Sequence, residues 1–319
     1  MSIQNGEQEP VSDIRRAEDA SKPQQHACLS VVIPVYNEEA TLAELVSRVL
    51  AVPGLLEIIV VDDGSTDRTP EIGRALDLTL PQVRFTRNDT NFGKSVALKT
   101  GFALTRGDIV IVQDADLEYD PAEISGIIQP ILDGHADVVY GSRFLVRKAA
   151  RVLYFYHFLA NKLLTFLSNA LTNLNMTDVE TGYKAFRGEI IREMVILSKR
   201  FGFEVEATAK VAKLRCAVYE VPISYYGRTY SEGKKVGLRD GIEAIWLIVW
   251  FNIFCRLGSS FRKLPELNES YRKSSRGHQN LNHGLRLQQG GIAESESLRR
   301  LQNIENDRLQ NELEAKNQG

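Results

Sequence analysis

The stretch that decides the fold is Asp108-Ile109-Val110-Ile111-Val112-Gln113-Asp114-Ala115-Asp116-Leu117-Glu118. A continuous apolar run of strand length is followed by three acids at alternating positions, which is typical of a buried parallel strand that ends in carboxylates. Where the strand ends and the chain turns, Asp114 and Asp116 would converge, and neighbouring carboxylate oxygens suit Mg²⁺ or Mn²⁺. Many strands also end in Asp-rich turns, so the surrounding sequence has to decide between a metal site and an ordinary turn.

The surrounding chain repeats a strand followed by a helix. Residues 29–35 and 57–62 are β-branched runs, and each is followed by a loop and by apolar residues at helical spacing. Pro34 is predicted to end the first strand because it cannot donate to a central ladder. Further strands are predicted at 83–85 and 136–140. Strands that alternate with helices predict an α/β fold with a mostly parallel sheet flanked by helices.

Polar side chains follow the predicted strands at their carboxyl ends. Parallel sheets bind ligands beyond this edge, so the clusters are predicted to line one crevice. The clusters are Pro34/Tyr36/Glu38, Asp62/Asp63, Asn91/Gly93/Lys94, Asp114/Asp116/Glu118 and Gly141/Arg143. The first strand is not followed by GxGxxG, and GxxxxGK[ST] does not occur, which disfavours a dinucleotide dehydrogenase and a P-loop NTPase.

Composition and charge exclude some classes of protein. With 319 residues, of which 43% are hydrophobic, the chain can bury a sizeable core. A net charge of −2 argues against a protein that holds nucleic acid by bulk charge, so no nucleic-acid partner is predicted. Residues 1–27 are polar and contain no apolar secretory segment, and the three cysteines have no metal-binding spacing. These features predict a cytoplasmic protein with reduced thiols and a disordered N-terminal lead.

Five motifs together resemble a known family. They are Pro34-x-Tyr-Asn-Glu38, Val61-Asp-Asp-Gly-Ser65, Asn91-x-Gly-Lys94, Asp114-Ala-Asp116 and Gly141-Ser-Arg143. In this order and spacing they resemble the family 2 glycosyltransferases of the GT-A fold, and within that family the dolichol-phosphate mannose synthases and polyprenyl-phosphate hexose synthases. The resemblance covers residues 29–257. It implies a nucleoside-diphosphate sugar donor of the GDP-mannose or UDP-glucose type, Mg²⁺ or Mn²⁺, and a hexosyltransferase that inverts the anomeric carbon.

The resemblance also assigns roles to individual residues. The substrate-binding set that it implies is Pro34, Tyr36, Glu38, Val61, Asp63, Lys94, Asp114, Ala115, Asp116, Arg143, Arg228 and Lys234. Within this set, Asp63 and the backbone of Val61 would contact the base. Arg143, Arg228 and Lys234 would meet phosphates, the last two from a loop that orders when substrate binds. The implied metal ligands are Asp114, Asp116 and Glu118, although synthases of this group often carry Gln at the position of Glu118.

Residues 177–187 are similar to the family segment D-x-x-[ST]-G-[FY]-[RK] and would read the acceptor. A polyprenyl phosphate is already an anionic nucleophile, and Asp178 and Glu180 would then orient the loop and the sugar. If the acceptor is instead the hydroxyl of a saccharide or other molecule, Asp178 or Glu180 would act as general base. The predicted catalytic set is Asp116, Arg143, Arg228, Asp178 and Glu180. A nucleotide-sugar-binding protein without catalysis is the alternative from another class.

Two helical stretches carry exposed apolar and basic residues together. The first opens at Arg143 and runs to Leu171, with Arg147, Lys148, Arg151 and Lys162 near its start. The second, residues 242–257, contains Trp246 and Trp250. Both patterns are typical of helices that lie in an anionic membrane interface, although a core or dimer helix and a helix packed on the domain are the alternatives. The apolar part of 242–257 is about 18–20 Å long and short of a bilayer core of roughly 30 Å, so a peripheral protein on the cytoplasmic face, without a full span, is predicted.

The predicted domain organisation has four parts. Residues 1–27 form the disordered lead, 28–236 the GT-A domain, 237–257 the membrane-associated helix and 258–319 a polar tail. Leucines and isoleucines near helical spacing suggest a short amphipathic helix near 294–315, which would self-associate weakly.

Overall fold

The computed structural model describes residues 27–145, 151, 154–228 and 238–265. The strands in this part of the chain are β1 (Leu29–Val35), β2 (Leu55–Asp62), β3 (Val83–Arg87), β4 (Ile109–Val112), β5 (Val138–Ser142), β6 (Lys184–Arg187) and β7 (Val218–Pro222). The helices are α1 (Leu42–Leu50), α2 (Thr69–Thr79), α3 (Lys94–Leu104), α4 (Ile124–Leu132), α5 (Phe155–Thr172), α6 (Gly188–Glu193), α7 (Phe203–Leu214), α8 (Leu238–Ile253) and α9 (Leu257–Ser260), and a 3₁₀ turn spans Pro121–Glu123.

The strands form one sheet in the order β3-β2-β1-β4-β6-β5-β7. β6 runs antiparallel to both β4 and β5, whereas the other described strand pairs are parallel. The predicted α/β fold with a mostly parallel sheet is therefore confirmed. The carboxyl ends of the parallel strands lie at one edge, and the reversed strand β6 begins at that same edge.

Helices cover both faces of the sheet. On one face α1 buries Leu42, Leu45, Val46 and Val49, whose spacing puts them on one side of a helix, against the core that includes Val31 and Ile33. On the other face α3 lies so close that a Cβ added at Gly101 would come within 2.4 Å of the Val32 side chain. The β-branched runs are thus buried on both faces, as parallel strands require.

Pro34 does not end β1, and that prediction is wrong. The strand continues to Val35 because its pairing with β2 extends that far, while its pairing with β4 stops at Val32. Successive residues of a central strand form their hydrogen bonds alternately to the strand on one side and to the strand on the other. The Val32 carbonyl accepts a hydrogen bond on the side of β4, and the Val35 carbonyl accepts one on the side of β2. The nitrogen of Pro34 faces β4, as Val32 does. Because the pairing of β1 with β4 ends at Val32, the missing N–H of Pro34 costs no hydrogen bond.

The two predicted interfacial helices differ from the sequence prediction in extent and in packing. α5 begins at Phe155, since Tyr154 has an extended backbone, and not near Arg143. α8 packs against α5 and α7 through a small buried cluster that includes Leu164, Ala244 and Ile248. One face of each helix is therefore bound to the domain. Within the described residues no helix combines the length and the apolar character needed to cross a bilayer.

All described residues belong to one compact unit, which includes 238–265. The predicted N-terminal lead up to residue 26, the tail from residue 266 and its helix near 294–315 lie outside the described residues, as do Arg147, Lys148 and Lys234. The division of the chain at 236/237 and the self-association through the tail remain predictions.

Candidate active site

The carboxyl edge of the sheet brings together side chains from distant parts of the sequence. Lys94, at the start of α3, has its Nζ 2.7 Å from Oδ1 of Asp114, which follows β4. The guanidinium of Arg228 lies 3.0 Å from Glu38, which follows β1. The backbone nitrogen of Arg228 is 2.6 Å from the carboxylate of Glu118. These contacts form two groups at the edge of the sheet, Lys94 with Asp114 and Arg228 with Glu38 and Glu118.

Lys94 is a partly buried cation between two carboxylates. Its Nζ is also 2.9 Å from Oε1 of Glu204, in the first turn of α7. Burial alone would lower the pKa of Lys94, but the charges of Asp114 and Glu204 more than offset it and raise that pKa above its usual value. Lys94 therefore stays cationic and fixes the position of the Asp114 carboxylate.

Asp116 lies close to two other carboxylates, Asp114 and Glu118. Burial, and then repulsion from Asp114 and Glu118, raises its pKa to about 7. Leu117 has a left-handed backbone (φ 58°), and the turn lets the Glu118 nitrogen donate to Oδ1 of Asp116 at 3.1 Å. A hard divalent cation beside Asp114 and Asp116 would relieve the repulsion between them, so these two carboxylates fit Mg²⁺ or Mn²⁺.

Glu118, the third predicted ligand, is engaged elsewhere. Its Oε1 accepts from the Arg228 nitrogen, and its Oε2 accepts from the Tyr225 hydroxyl at 2.8 Å. In the part of the chain that the structure describes, no three acidic, imidazole or thiolate groups converge as a ready-made metal site. Both Glu118 oxygens thus accept hydrogen bonds from the segment that contains Tyr225 and Arg228, and the assignment of all three acids as metal ligands remains a prediction.

Arg228 lies over this acidic edge. Its two terminal nitrogens are 3.1 and 3.0 Å from the two oxygens of Glu38, a paired geometry that only a guanidinium provides. Burial by itself lowers the pKa of Arg228, and Glu38, Asp116 and Glu118 raise it. The edge thus holds a permanent cation next to the two aspartates that fit a metal.

The predicted nucleotide-pocket residues lie around β1 and β2. Pro34 and Val61 are buried in the strands, and Tyr36 is half-buried just after β1. The Asp63 carboxylate accepts from the backbone nitrogens of Phe92 (3.2 Å) and Gly93 (2.6 Å) and from the Asn88 amide (2.8 Å). Asp63 therefore anchors the loop that leads into α3, and its contact with a base remains a prediction. Ala115 is buried between the two aspartates.

Arg143 and Asp178 form a closed pair. The Nε and one terminal nitrogen of Arg143 lie 2.6 and 2.8 Å from the two oxygens of Asp178, which is fully buried and also accepts from Asn161. Although burial raises the pKa of Asp178, the adjacent guanidinium outweighs it and lowers that pKa. Asp178 is thus held ionised by Arg143 and is a poor proton acceptor.

Glu180 differs from Asp178. Its Oε1 atom is buried and has no hydrogen-bond partner among the described residues. Burial and the negative charge of Glu204 raise the pKa of Glu180 to about 7, against the lowering influence of Lys184. Lys184 is fully buried at the start of β6, where it donates to the carbonyls of Val179 and Thr181. Of the two predicted acceptor-loop acids, Glu180 is the one able to take up a proton near neutral pH.

Sequence reasoning missed four residues that shape the site: Gly182, Lys184, Glu204 and Tyr225. Gly182 lies so close to Asp114 that a Cβ there would be 2.2 Å from Oδ2 of Asp114. Their signals in the sequence are weak: Gly182 is a glycine inside a motif, Lys184 a lysine in an apolar strand, Glu204 an acid at the start of a helix and Tyr225 a tyrosine near a loop. Their partners are distant in sequence, so only the fold reveals these roles.

Comparison with known proteins gives a consistent picture. A family model described as glycosyl transferase family 2 matches residues 30–195. The dolichol-phosphate mannosyltransferase of Pyrococcus furiosus is 34% identical over 213 residues, covering 66% of this chain and 59% of that protein. The polyprenol monophosphomannose synthase of Mycolicibacterium smegmatis is 31% identical over 214 residues, covering 65% and 80%. An undecaprenyl-phosphate 4-deoxy-4-formamido-L-arabinose transferase of Edwardsiella ictaluri is 33% identical over 226 residues, covering 69% and 66%. The match thus spans less than two thirds of the first and third relatives.

The fold recurs in a solved structure, the glucosyl-3-phosphoglycerate synthase of Mycobacterium tuberculosis in complex with Mn²⁺ and uridine-diphosphate-glucose. The two chains superpose with a TM-score of 0.56 at 21% identity, over 78% of this chain and 85% of that one. At this identity the likeness establishes the α/β architecture alone.

Proposed function

The chain belongs to glycosyl transferase family 2 and has the GT-A fold, and from that premise we propose that it is a metal-dependent, inverting hexosyltransferase. Its donor is a nucleoside-diphosphate sugar and its acceptor a polyprenyl phosphate. The observation that supports this most is the pair Asp114 and Asp116 at the carboxyl edge of the sheet, where Lys94 holds Asp114 and the charge of Arg228 acts on Asp116. The names of the relatives, which specify dolichol, polyprenol and undecaprenyl phosphate, support the acceptor class.

The residues of the site match the demands of this reaction. A phosphate oxygen of the acceptor attacks the anomeric carbon, and the bond from that carbon to the diphosphate breaks. Negative charge accumulates on the diphosphate, where Arg228 supplies a fixed cation. Asp114 and Asp116 would hold a divalent cation, which would neutralise part of the negative charge of the diphosphate. Lys94 keeps Asp114 in place throughout.

An exposed aromatic surface favours an acceptor that resides in a membrane. Tyr154, Phe155 and Tyr156 at the start of α5 are 56–80% exposed. Trp246 and Trp250 on α8 are 57% and 41% exposed, with ring centroids 5.8 Å apart. Exposed aromatic rings of this kind settle at the boundary between headgroups and acyl chains. We therefore place the protein on the cytoplasmic surface of an anionic membrane, with these rings in the interface.

A second candidate keeps the donor and replaces the acceptor by the hydroxyl of a saccharide or other molecule. Such an acceptor needs a general base, and the unpartnered Oε1 of Glu180, with a pKa of about 7, is the observation that favours it. Asp178 is less suited to that role because Arg143 occupies both of its oxygens. The two candidates therefore differ in whether Glu180 is required.

The test incubates the full chain with labelled GDP-mannose or UDP-glucose, Mn²⁺ and vesicles that contain undecaprenyl or dolichyl phosphate, followed by extraction into organic solvent. We expect label in the organic phase, and its loss with EDTA and with Asp116→Asn. Asp77→Asn, which changes an exposed aspartate on α2, is the matched control. Label transferred only to an added saccharide, with loss in Glu180→Gln, would establish the second candidate. Donor binding without transfer to any acceptor would indicate a non-catalytic nucleotide-sugar-binding protein.

A further inference from the structure

Residues Tyr225–Arg228 form a short segment that lies against the end of β4, and Glu118 holds it there. The Glu118 carboxylate accepts from the Tyr225 hydroxyl (2.8 Å) and from the Arg228 nitrogen (2.6 Å). The Glu118 carbonyl accepts from the Tyr226 nitrogen (2.9 Å). Glu118 thus accepts three hydrogen bonds, from three of the four residues of this segment.

The same segment is in contact with both halves of the site. At its end, the guanidinium of Arg228 reaches Glu38. At its beginning, the Tyr225 ring lies under the guanidinium of Arg143, with 5.1 Å from Cζ to the ring centroid. Arg151 donates to the carbonyls of Tyr225 (2.9 Å) and Gly227 (3.0 Å). A change in the position of the segment would therefore move Arg228 and alter the surroundings of Arg143, which Asp178 holds independently.

We propose that Glu118 is a positioning residue for Arg228 and Tyr225, and not a ligand of the divalent cation. The proposal rests on the proposed function only for what Arg228 does to substrate. The hydrogen atoms of the Tyr225 hydroxyl and the Arg228 amide point at the two Glu118 oxygens. A cation on those oxygens would have to occupy space next to these positive ends. The useful contrast is with Asp116, where the Glu118 nitrogen donates to Oδ1 alone, because Lys94 lies 2.7 and 3.0 Å from the two oxygens of Asp114.

The chemistry of the side chain provides a conservative test. A glutamine at 118 keeps one oxygen to accept from the Arg228 nitrogen, and its amide can donate to the Tyr225 oxygen, so both contacts survive with one reversed in direction. An alanine removes both. Tyr225→Phe removes one contact from the opposite side. If Glu118 positions the segment, the protection of the Arg228 amide from hydrogen exchange should decrease across these variants with the number of hydrogen bonds that each one loses.

The experiment measures amide hydrogen exchange of the full chain in EDTA, without nucleotide sugar, and Mn²⁺ affinity by electron paramagnetic resonance in parallel. In Glu118→Ala we expect exchange at Arg228 to rise by about tenfold or more, since hydrogen bonds to a charged group are lost. Glu118→Gln should stay near the wild type, with Tyr225→Phe in between. Glu71→Ala, which removes an exposed carboxylate on α2, is the control.

In the Mn²⁺ measurement we expect Glu118→Ala to bind within about threefold of the wild type, while Asp116→Asn loses about tenfold or more. Unchanged exchange at Arg228 in Glu118→Ala would overturn the proposal, and so would a loss of Mn²⁺ affinity equal to that of Asp116→Asn. Failure of the wild type to bind Mn²⁺ would instead contradict the metal dependence of the proposed function. The exchange data would still decide the role of Glu118.

Discussion

Replacing Gly182 by alanine should displace the Asp114 carboxylate without unfolding the protein. The added Cβ would lie 2.2 Å from Oδ2 of Asp114 and 3.1 Å from a ring carbon of Tyr119. Ordinary contacts of this kind begin near 3.5 Å, so the carboxylate has to move by about 1 Å. Lys94 holds the same carboxylate at 2.7 Å and is itself held by Glu204, so the shift also strains that ion pair.

A misplacement of about 1 Å costs on the order of a hundredfold in rate, and kcat/KM for sugar transfer should fall by about that factor. The overpacking itself costs about 1–3 kcal/mol, which lowers Tm by only several degrees in a protein of this size. Mn²⁺-dependent binding of the nucleoside diphosphate should weaken in parallel. The assay combines steady-state transfer kinetics, a binding titration and thermal unfolding of the same preparations.

Gly126→Ala is the matched control for this variant. Gly126 lies in α4, where an added Cβ meets no atom within 4 Å, and alanine favours a helix by about 1 kcal/mol over glycine. It should leave activity unchanged and raise stability slightly. A Gly182→Ala protein with kcat/KM within threefold of the wild type would refute the argument that Gly182 sets the position of Asp114.

Three further predictions concern the acceptor side. Asp178→Asn leaves Arg143 buried without its carboxylate, so the free energy of unfolding should drop by about 3–5 kcal/mol in a denaturant titration. In the folded protein the pKa of Glu180 is raised to about 7 from its usual value of 4.5, so between these values the folded state binds a proton that the unfolded state releases. Stability therefore falls as pH rises through this window. Glu180→Gln should therefore be more stable than the wild type above pH 7, by on the order of 2 kcal/mol, with a smaller difference at pH 4.5. The double variant Trp246→Ala/Trp250→Ala should sediment several-fold less with anionic vesicles.

Each of these has a contradicting outcome. An Asp178→Asn protein as stable as the wild type would show that the Arg143 pair is solvated in solution. Part of the pH dependence of stability remains in Glu180→Gln because the pKa of Asp116 is raised in the same direction. If stability changes between pH 4.5 and pH 7.5 by the same amount in Glu180→Gln as in the wild type, the burial of the Glu180 carboxyl group is refuted. Leu78→Ala, which removes an exposed apolar side chain from α2, is the control for vesicle binding. If it reduces sedimentation with vesicles as much as the double tryptophan variant does, the two tryptophans do not form a specific membrane-binding surface.

The strands and the edge that binds ligand were predictable because they follow from local rules. A β-branched run of four to eight residues between polar turns has few alternatives to a buried parallel strand, and parallel topology fixes where its end lies. The error at Pro34 has a physical origin. Sequence says that a proline lacks a donor, but only the lengths of the neighbouring strands say whether a donor was needed there.

The pairings within the site were not predictable in the same way. The family resemblance implies Glu118 as a metal ligand, whereas its partners Tyr225 and Arg228 come from a segment more than one hundred residues later. The partner of Lys94 on α7 is equally remote. Such contacts depend on how β6 enters the sheet and on which oxygen each side chain presents, and neither follows from periodicity.

The reversed direction of β6 has a consequence for how the molecule can diversify. Because β5 ends and β6 begins at the same edge, residues 143–183 leave the sheet and return to it at nearly one point. Two contacts join the two ends of this stretch, the ion pair of Arg143 with Asp178 and the hydrogen bond between the hydroxyls of Ser142 and Thr177 at 2.6 Å. The stretch between β5 and β6 can therefore change in length, or be replaced by another segment, without any change in the order of the strands. If this stretch contacts the acceptor as proposed, a foreign segment grafted between Arg143 and Asp178 would change the choice of acceptor and leave the strand that precedes Asp114 and Asp116 in place.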